Sequence, residues 1–164
     1  MSVSMFFKAI LFDVDGMVIT SKKFSDQMQE QYGISWDKMK PFFSGPFQLC
    51  KIGKADLKEE LSNVMSEWGW TGTVESLMEF WFTGGLDVNE RMTNLVSELR
   101  EHGTRCYLST NQEKYRLAFL RDEVGLGSLF DGIFSSCDIG HMKDEPAFFE
   151  HVCAVLQEQD PSIK

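Results

Sequence analysis

The stretch from Phe6 to Val18 constrains this chain most: it is apolar almost throughout, until it meets two carboxylates one residue apart, Asp13 and Asp15, and then Gly16. An apolar run ended by such a signal predicts a strand covered on both faces, as in a parallel sheet. Lys8 is the only charge ahead of the acid pair and lies near the start. In open α/β sheets the ligand crevice lies beyond the carboxyl ends of the strands, so Asp13 and Asp15 are expected on that lip. Carboxylates this close repel each other unless a cation or hydrogen-bond donors neutralise them. A hard divalent cation such as Mg2+ suits the position, because it keeps waters and adds a substrate phosphate oxygen. One aspartate is then available as a nucleophile and the other as a proton carrier. Taken alone, Asp-x-Asp-Gly could equally be a strand running into a turn, since both residue types favour turns. The rest of the chain decides between these readings.

Downstream, the pattern becomes helical. Ser21 to Tyr32 predicts a helix stopped by Gly33, with Phe24, Met28 and Tyr32 on one face. Ile34 to Cys50, broken by Pro41, Gly45 and Pro46, predicts two short helices, and Lys54 to Trp68 a longer one. Thr73 can cap a further helix through Phe82. Residues 17–84 thus read as an aromatic-rich, strandless helical unit whose Met and Trp stripes form its own core, with Gly84-Gly85 as the return hinge. Asn89 then caps an amphipathic helix with Met92, Leu95, Val96 and Leu99 inward. Thr104 to Leu108 predicts a strand closing in Ser109-Thr110-Asn111, and Gln112 to Glu123 a helix. Gly132 to Ser136 predicts a third strand, followed by a loop carrying Lys143. Asp144 or Glu145 caps a last helix with Pro146 in its first turn and Phe148, Phe149, Val152 and Leu156 buried. Strands alternating with helices make an α/β chain with a parallel sheet and right-handed crossovers.

The remaining composition narrows the function. A formal charge of −9 argues against nucleic-acid or anionic-membrane partners, which require a basic surface. The N-terminal apolar stretch is too short for a membrane span and lacks a small-residue cleavage site. Cys50, Cys106, Cys137 and Cys153 form no C-x-x-C pair, which suits reduced thiols in a cytoplasmic protein rather than a disulfide framework. An anionic substrate would therefore be met locally, by a few cations, a metal or backbone amides.

Three polar clusters, Asp13/Asp15, Thr110/Asn111 and Lys143, each fall just after a strand and hence on one edge of the sheet. Together they suit phosphoryl transfer, which needs neutralising charge, directional donors and an in-line nucleophile. Asp13 would attack and Thr110 would donate to a phosphoryl oxygen. Lys143 would supply positive charge, and Asp15 would protonate the leaving oxygen and later deprotonate the attacking water. Singly, a Thr-Asn pair is often only a helix cap and a loop lysine is usually solvated.

This constellation resembles the haloacid dehalogenase-like (HAD) superfamily. Asp13-Val14-Asp15-Gly16-Met17-Val18 matches its first motif, with Met17 replacing the usual threonine. Thr110-Asn111, with Ser109 as the competing assignment, matches the second, and Lys143-Asp144-Glu145-Pro146 the third. The resemblance implies a Rossmann-like three-layer core, residues 1–16 and 85–164, and a helical cap, residues 17–84. It also implies a Mg2+-dependent phosphatase of a small phosphorylated metabolite, working through an aspartyl-phosphate. The metal would be held by the Asp13 side chain and the Asp15 carbonyl. Family members that dehalogenate carry no carboxylate at the second aspartate, so Asp15 favours phosphoryl transfer. A phosphomutase of the same fold and a non-catalytic relative are the alternatives, and the chain would act as a monomer or homodimer.

Two expectations concern the edges of this resemblance. Nothing matches the family's fourth motif, an acidic pair after another strand beside the one bearing Asp13, and the chain stops at Asp160-Pro161-Ser162-Ile163-Lys164. The sequence therefore reads as part of a longer protein whose C-terminal strand is missing, or as a chain whose edge a second chain covers. Lys22, Lys23, Lys51 and Lys54 are the cap cations best placed for a second anionic group, and His141 for the leaving group, against the ordinary reading of each as a surface residue.

Overall fold

A computed structural model describes residues 8–163. Phe6, Phe7 and Lys164 lie outside the described residues, and with them the expected start of the first strand and the last residue of the chain. In chain order, β1 (Ala9–Phe12) runs into the acid pair, and β2 (Ile19–Thr20) follows it. Five helices come next: α1 (Phe24–Tyr32), α2 (Trp36–Ser44), α3 (Pro46–Lys51), α4 (Leu57–Trp68) and α5 (Val74–Thr83). Then come β3 (Asp87–Val88), α6 (Glu90–Glu101) and β4 (Arg105–Thr110). Helix α7 (Lys114–Ala118), a π turn (Phe119–Glu123), α8 (Leu126–Leu129), β5 (Gly132–Ser135), α9 (Ser136–Ile139) and α10 (Pro146–Gln159) complete the chain.

The sheet is parallel, in the order β1-β4-β5, with Phe12 beside Leu108 and Thr110 beside Ser135. Side chains alternate across it because successive residues of a strand point to opposite faces. Ile10, Phe12, Cys106 and Leu108 join Val96 of α6 and Leu126 of α8 on one face. Ala9, Leu11, Tyr107 and Phe134 meet Phe148, Val152 and Leu156 of α10 on the other. The fold is therefore α/β in three layers, helix on sheet on helix, as the alternating pattern requires. No helix is long and apolar enough to cross a membrane among the described residues.

Helices α1 to α5 bury a separate core of Phe24, Met28, Met39, Leu61, Trp68 and Leu77, among others. Residues 17–84 are not strandless, however. Ile19 and Thr20 pair antiparallel with Val88 and Asp87, so the chain leaves and re-enters the sheet unit through a two-stranded ribbon. Asn89 ties this crossing down: its backbone N–H donates to the Val18 carbonyl at 2.9 Å and its side-chain amide to the Met17 carbonyl at 3.0 Å. That contact takes the side chain away from the helix end it was expected to cap.

Other expectations also need correction. The helix expected from Gln112 to Glu123 begins after Glu113 and opens into a π turn, where Val124 N–H reaches back to the Phe119 carbonyl at 3.0 Å. Phe119, at the start of this turn, packs against both the helical core and the sheet core. Leu95 and Phe149 are 41% and 40% exposed, because the sheet covers a narrower arc than their helices' apolar stripes. Glu145 sits at the start of α10 but turns its carboxylate to His141 and to Met142 N–H instead of capping.

Asp56 caps α4 and ties the helical unit to α7. It accepts from Lys58 N–H at 2.8 Å as N-cap of α4, and from Tyr115 Oη at 2.8 Å and Lys114 Nζ at 2.6 Å across the divide. The Lys114 contact above all holds its carboxyl at about 2, below the ordinary 3.8. A carboxyl depressed on folding stabilises the fold above its unfolded pKa, and that contribution is lost as pH falls from about 4 through about 2. Asp56→Ala should cost about 1 kcal/mol near neutrality, chiefly from the lost cap, since half-exposed ion pairs add little. Urea midpoints of parent and variant should converge in acid; a constant gap down to pH 2 would contradict the assignment.

Candidate active site

The acid pair is presented by a turn that leaves little choice of orientation. The N–H groups of Met17, Val18 and Ile19 all converge on the Val14 carbonyl, at 3.3, 3.0 and 2.8 Å. Gly16 closes the turn at φ +82°, where a Cβ would be strained, and its N–H donates to the Ile19 carbonyl at 2.8 Å. Val14 and Val18 are buried anchors, while Asp13 and Asp15 on either side of Val14 are exposed. The apolar residue between the carboxylates is therefore what points them both outward.

Asp13 meets Lys143. The ammonium lies 3.0 Å from Asp13 Oδ1 and donates at 3.0 Å to the Ser109 carbonyl. The backbone of Lys143 is fixed in turn by its N–H donating to Asn111 Oδ1 at 2.9 Å. Asp13 Oδ1 also accepts from Val14 N–H at 2.8 Å. Thus the ends of β1 and β4 and the loop before α10 meet around one carboxylate, bringing together Asp13, Asn111 and Lys143.

Asp15 meets a different set. Arg116 grips it with both terminal nitrogens, Nη2 to Oδ1 at 2.7 Å and Nη1 to Oδ2 at 3.2 Å. Gln112 Nε2 donates to Asp15 Oδ2 at 2.6 Å and to Thr110 Oγ1 at 3.2 Å, while its Oε1 accepts from Arg116 Nη1 at 3.2 Å. Thr110 Oγ1 accepts here, so its own O–H remains available to donate. Ser109 instead gives its backbone carbonyl to Lys143, and its hydroxyl is buried without a partner.

Gln112 and Arg116 were not foreseen from the sequence. Their one trace is position: they sit four residues apart, just past Thr110-Asn111, at the start of a helix that points back at the sheet edge. Buried Glu113 aims that helix, its carboxylate capping Tyr115 N–H at 2.9 Å and Arg116 N–H at 2.5 Å. Burial pushes the Glu113 carboxyl up, against the pull of these two amides.

Of the lysines proposed for a second anion, Lys22 and Lys23 line a cavity with Asp15 and Arg116, whereas Lys51 and Lys54 do not. Lys22 also pairs with Glu30. The His141 ring faces Glu145 at 2.7 Å. A separate cavity of about 470 Å3, between Lys58, Met78, Phe82 and Tyr115, touches neither aspartate of the pair.

A divalent cation fits this rim. Both contacts on Asp13 fall on Oδ1, leaving Oδ2 for a ligand, and the hydrogen bonds of the turn go to the Val14 and Ile19 carbonyls rather than to that of Asp15. No cluster of three or more His, Cys, Asp or Glu side chains is arranged around a metal among the described residues. These oxygens would therefore make a shell completed by waters and a substrate oxygen, the arrangement Mg2+ prefers.

Several known proteins are similar to this chain. The sesquiterpene phosphatase astK of Aspergillus oryzae is 29% identical over 153 residues, spanning 89% of this chain and 72% of that protein. A HAD family enzyme of Bacteroides thetaiotaomicron, solved with magnesium and inorganic phosphate, superposes with a TM-score of 0.74 at 17% identity, over 92% of this chain and 79% of that one. The L-2-haloacid dehalogenase of Xanthobacter autotrophicus superposes with a TM-score of 0.62 at 19% identity, over 92% and 65% of the two chains. At such identities the two solved structures speak to the fold alone. The family model of haloacid dehalogenase-like hydrolases, however, matches residues 7–162, nearly the whole chain, and the chain belongs to that family.

Proposed function

We propose that this hydrolase is a phosphatase acting on a small phosphorylated compound, through an aspartyl-phosphate on Asp13. The observation that carries the reading is the division of labour between the two aspartates. Asp13 is held by an ammonium that could also reach phosphoryl oxygens, and Asp15 by a guanidinium and an amide. The phosphatase name of the Aspergillus relative supports the same reaction class.

In the first half, an Asp13 oxygen attacks phosphorus. The bond from phosphorus to the ester oxygen breaks, its electron pair stays on that oxygen, and Asp15 supplies the proton. In the second half, water attacks the phosphorus of the acyl-phosphate, Asp15 takes the water's proton, and Asp13 leaves as carboxylate. Lys143 neutralises the developing charge, and the free O–H of Thr110 donates to a phosphoryl oxygen. The bidentate grip of Arg116 fixes the orientation of the Asp15 carboxylate at the rim. Mg2+, bound by Asp13 and the Asp15 carbonyl, would supply charge neutralisation for the phosphoryl group. Helices α1 to α5, residues 17–84 in the main, serve as the cap over this rim.

The test is phosphate release from p-nitrophenyl phosphate and a panel of metabolite phosphates. Turnover should appear with Mg2+, fall to background with EDTA and return when Mg2+ is restored. Absence of release from every phosphate in the presence of Mg2+ would end this reading.

A further inference from the structure

The cavity that Asp15 and Arg116 share with Lys22 and Lys23 measures about 620 Å3, within the usual range for a small-molecule site. Four rings line it, Phe24, Trp36, Phe43 and Trp81, with Thr20, Ser21 and Ser25 also at its border. These rings form a continuous surface. Trp36 stacks on Phe43 at 5.5 Å, Phe43 meets Trp81 edge-on at 5.4 Å, and Trp81 stacks on Phe24 at 4.8 Å. Trp36 is nonetheless 45% exposed, which is unusual for an indole with a packed core beside it. Its neighbours in the helical core, Trp68 at 3% and Met39 at 0%, are buried.

The lining combines the two kinds of surface an amphiphile would require. Asp15, Lys22, Lys23 and Arg116 carry charge, and Phe24, Trp36, Phe43 and Trp81 are uncharged rings. Which end takes which part of a phosphate ester follows from the acid pair. Asp15 borders the cavity and Asp13 does not. On the reading above, Asp15 protonates the leaving oxygen, so the space beyond Asp15 receives the leaving group and not the phosphoryl group.

We infer that the cavity walled by Phe24, Trp36, Phe43 and Trp81 receives the hydrocarbon portion of a phosphate monoester, making the substrates apolar alcohols esterified to phosphate. This rests on the phosphatase reading for its chemistry, but its binding part can be tested without turnover. The first arm measures kcat/KM in Mg2+ for butyl, hexyl and octyl phosphate and for glucose 6-phosphate. Each methylene that finds cover should raise kcat/KM about fourfold. Trp36→Ala, at a half-exposed position, should lower the octyl value about tenfold, the worth of about 50–60 Å2 of apolar cover, and flatten the series, with the Tm checked against the parent.

The second arm follows intrinsic tryptophan fluorescence of the metal-free protein with the matching alkylphosphonates, which cannot be hydrolysed, below their micelle concentrations. Affinity should rise with chain length in the parent and lose that slope in Trp36→Ala. A slope in binding without any phosphate release would sustain the cavity assignment and sink the phosphatase reading. Turnover that is indifferent to chain length, or that favours glucose 6-phosphate, would sink the assignment and leave the phosphatase standing. No chain-length slope in either arm would overturn the inference outright.

Discussion

Asp13→Asn should reduce phosphate release by about four orders of magnitude or more, the scale on which enzymes lose rate when a covalent nucleophile is removed. The carboxamide has nearly the shape of the carboxylate but no anionic oxygen to attack phosphorus. Its neighbours have other anchors: Lys143 keeps its contact with the Ser109 carbonyl at 3.0 Å, and its backbone remains bound to Asn111. The variant should therefore fold, with a urea midpoint within about 0.5 kcal/mol of the parent, the normal scale for a change at an exposed side chain. Asp13→Glu should fail as well, because an added methylene displaces the attacking oxygen from a rim fixed by the Val14 turn. A folded Asp13→Asn protein that still turned over at a tenth of the parental rate would remove the aspartyl-phosphate from consideration, and phosphatase chemistry would then have to start from activated water.

How far the site could be read from the sequence depended on the range of each contact. Asp13 and Asp15 were legible because a short-range signal, an apolar run broken by Asp-x-Asp-Gly, places both at a strand end. Asn111 and Lys143 were legible as positions after strands, though the sequence could not show that Asn111 acts by anchoring the Lys143 backbone. Arg116 was invisible for a physical reason: its partner Asp15 lies 101 residues away, and an arginine early in a helix looks like any solvated arginine. Thr110 and Ser109 could not be ranked from the sequence, because neighbouring residues of a strand face opposite ways and only the partners, Gln112 for one hydroxyl and none for the other, distinguish them. The ribbon of Ile19-Thr20 with Asp87-Val88 escaped notice because two residues are too few to show a strand's alternation. The aromatic wall was read as core, and most of it is; exposure of one face of Trp36 is a property of packing that periodicity does not encode.

Phe148→Ala should be the most destabilising single change of those considered, and it should reach the active site through Lys143. Phe148 is fully buried near the start of α10, against Tyr107, Phe134 and Val152, with Ala9 and Leu11 of the acid-bearing strand alongside. Truncating such a ring costs about 3–5 kcal/mol, because the cavity left behind closes only in part. Set against a total stability of about 5–15 kcal/mol, that is a large fraction, and a fall of roughly 10 °C in Tm is expected. The same helix begins at Pro146, shortly after Lys143, and its first turn is tied to the preceding loop by Phe148 N–H donating to the Glu145 carbonyl at 3.1 Å. Loosening Phe148 therefore loosens the loop that delivers the ammonium to Asp13. At a temperature where the variant is still fully folded, kcat should fall more than KM rises, since the charge Lys143 neutralises is greatest in the transition state. Phe148→Leu, which keeps most of the volume, should cost about 1.5 kcal/mol or less and recover most of kcat. An unchanged Tm in Phe148→Ala would mean that α10 is not packed on the face of β1 and β4, and the route from that core to Lys143 would have no mechanical basis.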